Sequence, residues 1–215
     1  LTFAVLACKK VAMTEIRPLE LPFRGERSYL HGTDLHQAIT ATLPEPPPPG
    51  PVNLTFHHLL KHQPDLVLSR DSLLHLREDP AFRGEIRWGS GTDLLHAALL
   101  ESDRPVTARK PCNEPEVAAA AVVDAVAKMA VLKAQAPGLP IEQIVFLNKR
   151  LHLEVLPHLS PKWLFARLEL VAPLAAEPPE ELTVSLRQVL GNRFTRSEIT
   201  SGGRRLGYIS FSTPQ

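Results

Sequence analysis

Asn113-Glu114-Pro115-Glu116-Val117-Ala118-Ala119-Ala120-Ala121-Val122-Val123-Asp124-Ala125-Val126-Ala127-Lys128-Met129-Ala130-Val131-Leu132-Lys133-Ala134-Gln135 is the segment from which the architecture is read. Asn113 is placed to cap a helix, Pro115 suits its first turn, and Glu116 completes an Asn-x-x-Glu capping box. Val117, Ala121, Val122, Ala125, Met129 and Leu132 come at helical spacing, and Asp124 and Lys128 stand at i,i+4. Small apolar side chains nearly all round imply a helix over 114–135, buried on most sides and lying close against a sheet.

Working outward, the segments on both sides alternate. Val52, Leu54 and Phe56 share one face of an extended piece, with Asn53, Thr55 and His57 opposite. Leu66–Leu68, Leu73–Arg77 and Glu85–Trp88 read as further short strands. After Pro137-Gly138 the expected strands are 141–147, 151–156, 163–171, 182–190, 193–200 and 205–212, the last two joined by a turn at Gly202-Gly203. Strands that succeed one another without helical crossovers pair antiparallel. The class is therefore α+β, an antiparallel sheet wrapped around a long Ala-rich helix.

Phe23-Arg24-Gly25-Glu26 recurs as Phe82-Arg83-Gly84-Glu85, and Gly32-Thr33-Asp34-Leu35 as Gly91-Thr92-Asp93-Leu94, both at an offset of 59. Self-similarity at a fixed offset points to duplicated structure. In each copy Thr33 or Thr92 is expected to cap a short helix, ending near Leu43 in the first and Ser102 in the second.

This order of elements is similar to the hotdog fold of acyl-thioester enzymes. The resemblance covers about 106–215, with 14–90 as a degenerate first copy, and it is one of element order. The His-Phe-Pro motif of the acyl-carrier-protein dehydratases and the usual thioesterase signature are both absent. The expected organisation is an N-terminal extension at 1–12, a first hotdog-like half at 13–90, and a second at 91–215 carrying the 114–135 helix. Residues 1–12 lack the alternation of the segments beyond Met13, and Met13 looks like the more natural start.

Composition narrows the function classes. With 44% hydrophobic and 22% charged residues, a 215-residue chain can hold a core without disulfides or metal. A net charge of +1 gives no basic excess for nucleic acid. Cys8 and Cys112 are far apart and read as reduced thiols of a cytoplasmic protein. No run is long enough for a membrane helix. His57, His58 and His62 cluster without ligand spacing, so no metal site is expected, and no phosphate loop or nucleophile elbow occurs.

The resemblance implies an acyl-CoA or acyl-carrier-protein ligand and a thioesterase or dehydratase-like activity, without a cofactor. The competing class is a non-catalytic binding or assembly module, and a second copy of the chain is a further candidate partner. For the enzyme, the candidate catalytic residues are His31 and Asp34, with Asp93 and His96 as their counterparts. Asp34 would sit ionised in a helix's first turn, near an imidazole able to give or take a proton. Asp93 and His96 would share one helical face at i,i+3. The arginines 193, 196, 204 and 205 make the final hairpin basic, a solvated face or a means of steering an anion such as a coenzyme A phosphate.

Overall fold

The structure, a computed structural model, describes residues 14–44, 47–133, 136–159 and 162–214. The expected extension at 1–12 lies outside them. From the N-terminus come strands β1 (Glu15–Pro18) and β2 (Phe23–Arg24), helix α1 (Gly32–Thr42), and strands β3 (Val52–Phe56), β4 (His62–Ser69), β5 (Phe82–Trp88) and β6 (Leu95–Pro105). There follow β7 (Arg109–Lys110), α2 (Glu114–Ala120), β8 (Ala121–Asp124), β9 (Met129–Lys133) and α3 (Pro140–Val155). Strands β10 (Leu164–Leu170), β11 (Glu181–Leu190), β12 (Phe194–Ser201) and β13 (Arg204–Ser212) complete the chain.

Among the described residues eleven strands form one antiparallel sheet in the order β1-β4-β6-β5-β3-β10-β13-β12-β11-β9-β8, while β2 and β7 pair in parallel as a separate ribbon. The alternation at 52–56 is real: Val52 and Leu54 are buried between neighbouring strands. Helices α1 and α3 lie against the buried face, contributing Leu35 and Ile39, and Ile144, Phe146, Leu147 and Leu151, to one core. Each such side chain contributes roughly 1.5–3 kcal/mol by leaving water. The protein is α+β, and the β3–β10 pair divides its one sheet into a first half (β1 and β3–β6) and a second half (β8–β13). No helix among the described residues is long and apolar enough to cross a membrane.

The 114–135 segment is not one helix. Its helical part stops at Ala120, and 121–133 fold back as the β8–β9 hairpin. The turn is made by Asp124, whose Oδ1 accepts from the amides of Val126 (3.0 Å) and Ala127 (2.8 Å), and by Lys128 at φ +54°. An aspartate that binds the backbone two and three residues on offers an alternative to the helix. Strand β11 takes up the other edge of β9, in the register Leu182↔Leu132 and Val184↔Ala130, and buries Ala130 and Leu132.

The long helix is α3, in a segment expected as strands 141–147 and 151–156. Pro140 stands in its first turn, and Glu142 reaches back to accept from the Leu139 amide at 3.0 Å. The expected strand Leu73–Arg77 is instead a 3-10 turn over Leu74–Glu78.

The 59-residue repeat does not fold twice in the same way. Its first copy supplies β2 and opens α1; its second supplies β5 and a 3-10 turn at Gly91–Asp93 leading into β6. The helix expected to end near Ser102 is thus a strand, β6, which pairs with β4 and β5. The strand order also differs between halves. β6, the last strand of the first, lies between β4 and β5, whereas β11, β12 and β13 run as a meander.

Candidate functional site

The halves meet where β3 pairs β10, and that ladder runs only from Val52↔Leu170 to Thr55↔Arg167. Past it the strands part. Phe56 and Phe165 face each other edge to face across the gap, with centroids 5.4 Å apart. Both rings press on Gly32 at the start of α1: a Cβ there would lie 2.6 Å from Phe165 Cδ1 and 3.0 Å from Phe56 Cε2. Behind them is a cavity of about 50 Å³, lined by His31, Gly32 and Leu35 of α1, by Val145 and Lys149 of α3, and by Trp163 and Phe211. Outside them a groove of about 910 Å³ runs over β3, β10 and β12, and shares Phe56, His58, Leu59, Leu164 and Phe165 with the cavity.

His31 is the N-cap of α1, a position expected for Thr33. Its Nδ1 accepts from the Thr33 amide at 3.4 Å and lies 2.7 Å from Thr33 Oγ1. With Nδ1 taken up as an acceptor, the neutral ring carries its hydrogen on Nε2. Burial pushes the His31 imidazole well below its ordinary 6.5, and the cations Arg27, Arg24, Lys149 and Lys110 add to the effect. At neutral pH this is an uncharged hydrogen-bond donor. The first amides of a helix have no carbonyl within it to bind, and the amide of Gly32 stands at that end, on the cavity wall.

Asp34, three residues on, turns the other way. Its carboxylate binds the buried Arg24 guanidinium and receives Lys110 Nζ at 2.9 Å. Arg24 also gives a hydrogen bond to Glu142 of α3 at 2.6 Å and one to Asn113 Oδ1 at 3.1 Å. Burial opposes the charge on Arg24, but its bonds to Asp34 and Glu142 outweigh that and raise it above its ordinary value. Burial likewise opposes the Glu142 charge, and the hydrogen bonds from Arg24, Leu139 and Asn113 outweigh it, holding this carboxyl below its ordinary range. Asp34 therefore ties α1 to α3 and does not line the cavity, whose wall has no carboxylate among the described residues.

The structure does not bring the second candidate pair to this place. Asp93 is exposed in the 3-10 turn, and His96 lies on β6 opposite Ser69 and Arg87. Neither lines the cavity or the groove, and they do not share a helical face.

Several residues near the site were not singled out as site residues from the sequence, among them His58, read there only as part of a histidine cluster without ligand spacing and here exposed. His58, on the chain leaving β3, lines both cavity and groove. On α3, Asn148 is fully buried, and neither end of its side-chain amide is hydrogen-bonded to a described residue. One turn on, His152 is held between the carbonyl of Asn148 and Thr195 Oγ1, each at 2.6 Å. The Asn-x-x-x-His spacing could have been noticed only by treating 140–155 as a helix. No group of three or more potential metal ligands gathers among the described residues.

No protein-family model and no curated protein sequence matches this chain. Among solved structures it is similar to the dehydratase domain of a mycocerosic acid synthase-like polyketide synthase, with a TM-score of 0.49, 15% identity, and coverage of 87% of this chain and 83% of that one. It is also similar to the tesB protein of Mycobacterium avium subspecies paratuberculosis, at TM-score 0.48 and 10% identity, covering 94% and 93%. A third is the dehydratase domain of PpsC from Mycobacterium tuberculosis in complex with C12:1-CoA, at TM-score 0.47 and 12% identity, covering 97% and 96%.

Proposed function

We propose that the protein binds an acyl thioester at the seam between its halves and acts on it in the manner of a thioesterase or dehydratase. The observation that carries this is the pairing of a neutral imidazole with a helix N-terminus on the wall of one cavity, whose remaining lining mixes apolar side chains with Arg27 and Lys149. A thioester carbonyl seated there meets Nε2–H of His31 and the amide of Gly32, donors that strengthen as negative charge develops on the oxygen. The proton-transfer role falls to His58, an imidazole at the mouth, since His31 is held neutral and Asp34 is locked to Arg24. The ligand's outer arm lies in the groove, where Arg167, Arg193 and Arg196 suit the phosphates of coenzyme A or of a carrier-protein arm.

The lack of a carboxylate among the described residues of the cavity wall favours a second reading, a module that binds the thioester without turning it over. Assays of acyl-CoA hydrolysis and enoyl-CoA hydration across chain lengths separate the two. For the enzyme, His31→Ala and His58→Ala should each lower kcat/KM by about 10²-fold or more. Turnover unchanged in folded variants removes both residues from the reaction. Tight binding without turnover in the wild type leaves the binding module.

A further inference from the structure

The space on the two sides of Phe56 and Phe165 is very unequal. Inside, the cavity measures about 50 Å³; a water needs roughly 10–15 Å³ by this measure, so the chamber holds about four groups of that size. Outside, the groove offers about 910 Å³ and carries the arginines. The floor of the chamber is Trp163 and Phe211, both buried. It does not yield easily, because both rings pack on His152, Trp163 edge to face at a centroid distance of 4.8 Å and Phe211 tilted at 5.2 Å. That imidazole is itself fixed at both nitrogens by Asn148 and Thr195.

We propose that Trp163, backed by Phe211 and the anchored His152, is a specificity-determining residue that restricts the acyl group to short chains. This rests on the thioester reading above and adds to it the orientation and size of the substrate. The acyl end points inward past His31 toward Trp163 and Phe211, and the anionic arm lies outward beside Arg167, Arg193 and Arg196. The chamber admits about two to four carbons. A longer chain would have to displace Trp163 or double back into the groove, and either forfeits the apolar burial that each methylene would otherwise gain.

The test is the affinity of the folded chain for acetyl-, butyryl-, octanoyl- and dodecanoyl-CoA, read by titration calorimetry alongside turnover. The wild type should bind acetyl- or butyryl-CoA about tenfold or more tighter than octanoyl-CoA, and Trp163→Ala should reverse that ranking. Octanoyl-CoA bound as tightly as butyryl-CoA by the wild type overturns the chain-length inference and leaves the thioester reading standing. Failure to bind any of the four by folded wild type overturns the thioester reading itself. If Trp163→Ala does not fold, Phe211→Leu is the second opening of the floor, and the wild-type ranking still decides.

Discussion

At the N-terminus of α1, His31 faces the cavity while Asp34 reaches into an ion cluster, and the packing of the first turn separates them. Gly32 between them is open to a direct test. Its φ is not left-handed, so alanine fits the backbone, but the new methyl would meet both phenyl rings. Gly32→Ala should destabilise by about 1–3 kcal/mol through overpacking and weaken acyl-CoA binding. Unchanged stability and affinity would show that the rings move freely. His36, one turn further along α1, is buried with neither ring nitrogen bonded to a described residue, and burial lowers it from 6.5 to about 4. A buried polar group without a partner is destabilising by about 1–3 kcal/mol, so His36→Leu should raise the melting temperature by a few degrees. A fall instead would mean that the imidazole has a water or ligand partner.

At the scale of elements, Arg24 links β2 to α1 through Asp34 and to α3 through Glu142, 118 residues further on in sequence. Both helices line the cavity. Arg24→Met leaves Asp34 with Lys110 alone and Glu142 without a cation, and should cost about 3 kcal/mol, on the order of 10 °C in melting temperature for a chain of this size. Replacing all three members by apolar residues of similar volume should recover most of that, as removing one partner of a buried pair is worse than removing the pair. If the single variant melts like the wild type, the cluster is not holding the helices together.

For the whole molecule, the buried histidines set an acid limit. His36 and His152 are both lowered from 6.5 to about 4, chiefly by burial. Below 6.5 the unfolded chain takes up protons that the folded chain refuses, so stability falls as pH drops from 6.5 to about 4. Each group withdraws on the order of 3 kcal/mol over that interval. Glu142, lowered in the folded state, adds a loss that begins as pH falls through the ordinary carboxylate value of 4.5. Urea titrations should therefore show stability level above pH 7 and falling steeply below 6, with a shallower fall in His36→Leu. A flat profile between 6.5 and 4 would mean that the imidazoles are not buried neutral.

Local sequence determined the features that depend on near neighbours. The period-2 alternation at 52–56, 164–170 and 181–190 reads as strand because one sheet face is buried and the other is not. The Gly202-Gly203 hairpin results from the positive φ that both residues take. The end of α1 after Thr42 is set by Pro44. Tertiary structure alone settled the fate of 113–135, since alanine and valine tolerate helix and strand alike. The Asp124 turn and the free edge of β11 tipped that balance toward a hairpin. Pro140 and Glu142 did signal the start of α3, but apolar runs such as 141–147 fit either period until the sheet is complete without them. The site was half legible: His31 and Asp34 stand close in sequence, yet only Arg24, brought in from β2, sends Asp34 away from the cavity. The cavity itself, closed by Phe56, Trp163, Phe165 and Phe211 from three separate segments, exists only because the sheet joins those segments side by side and lets β3 and β10 part beyond Thr55.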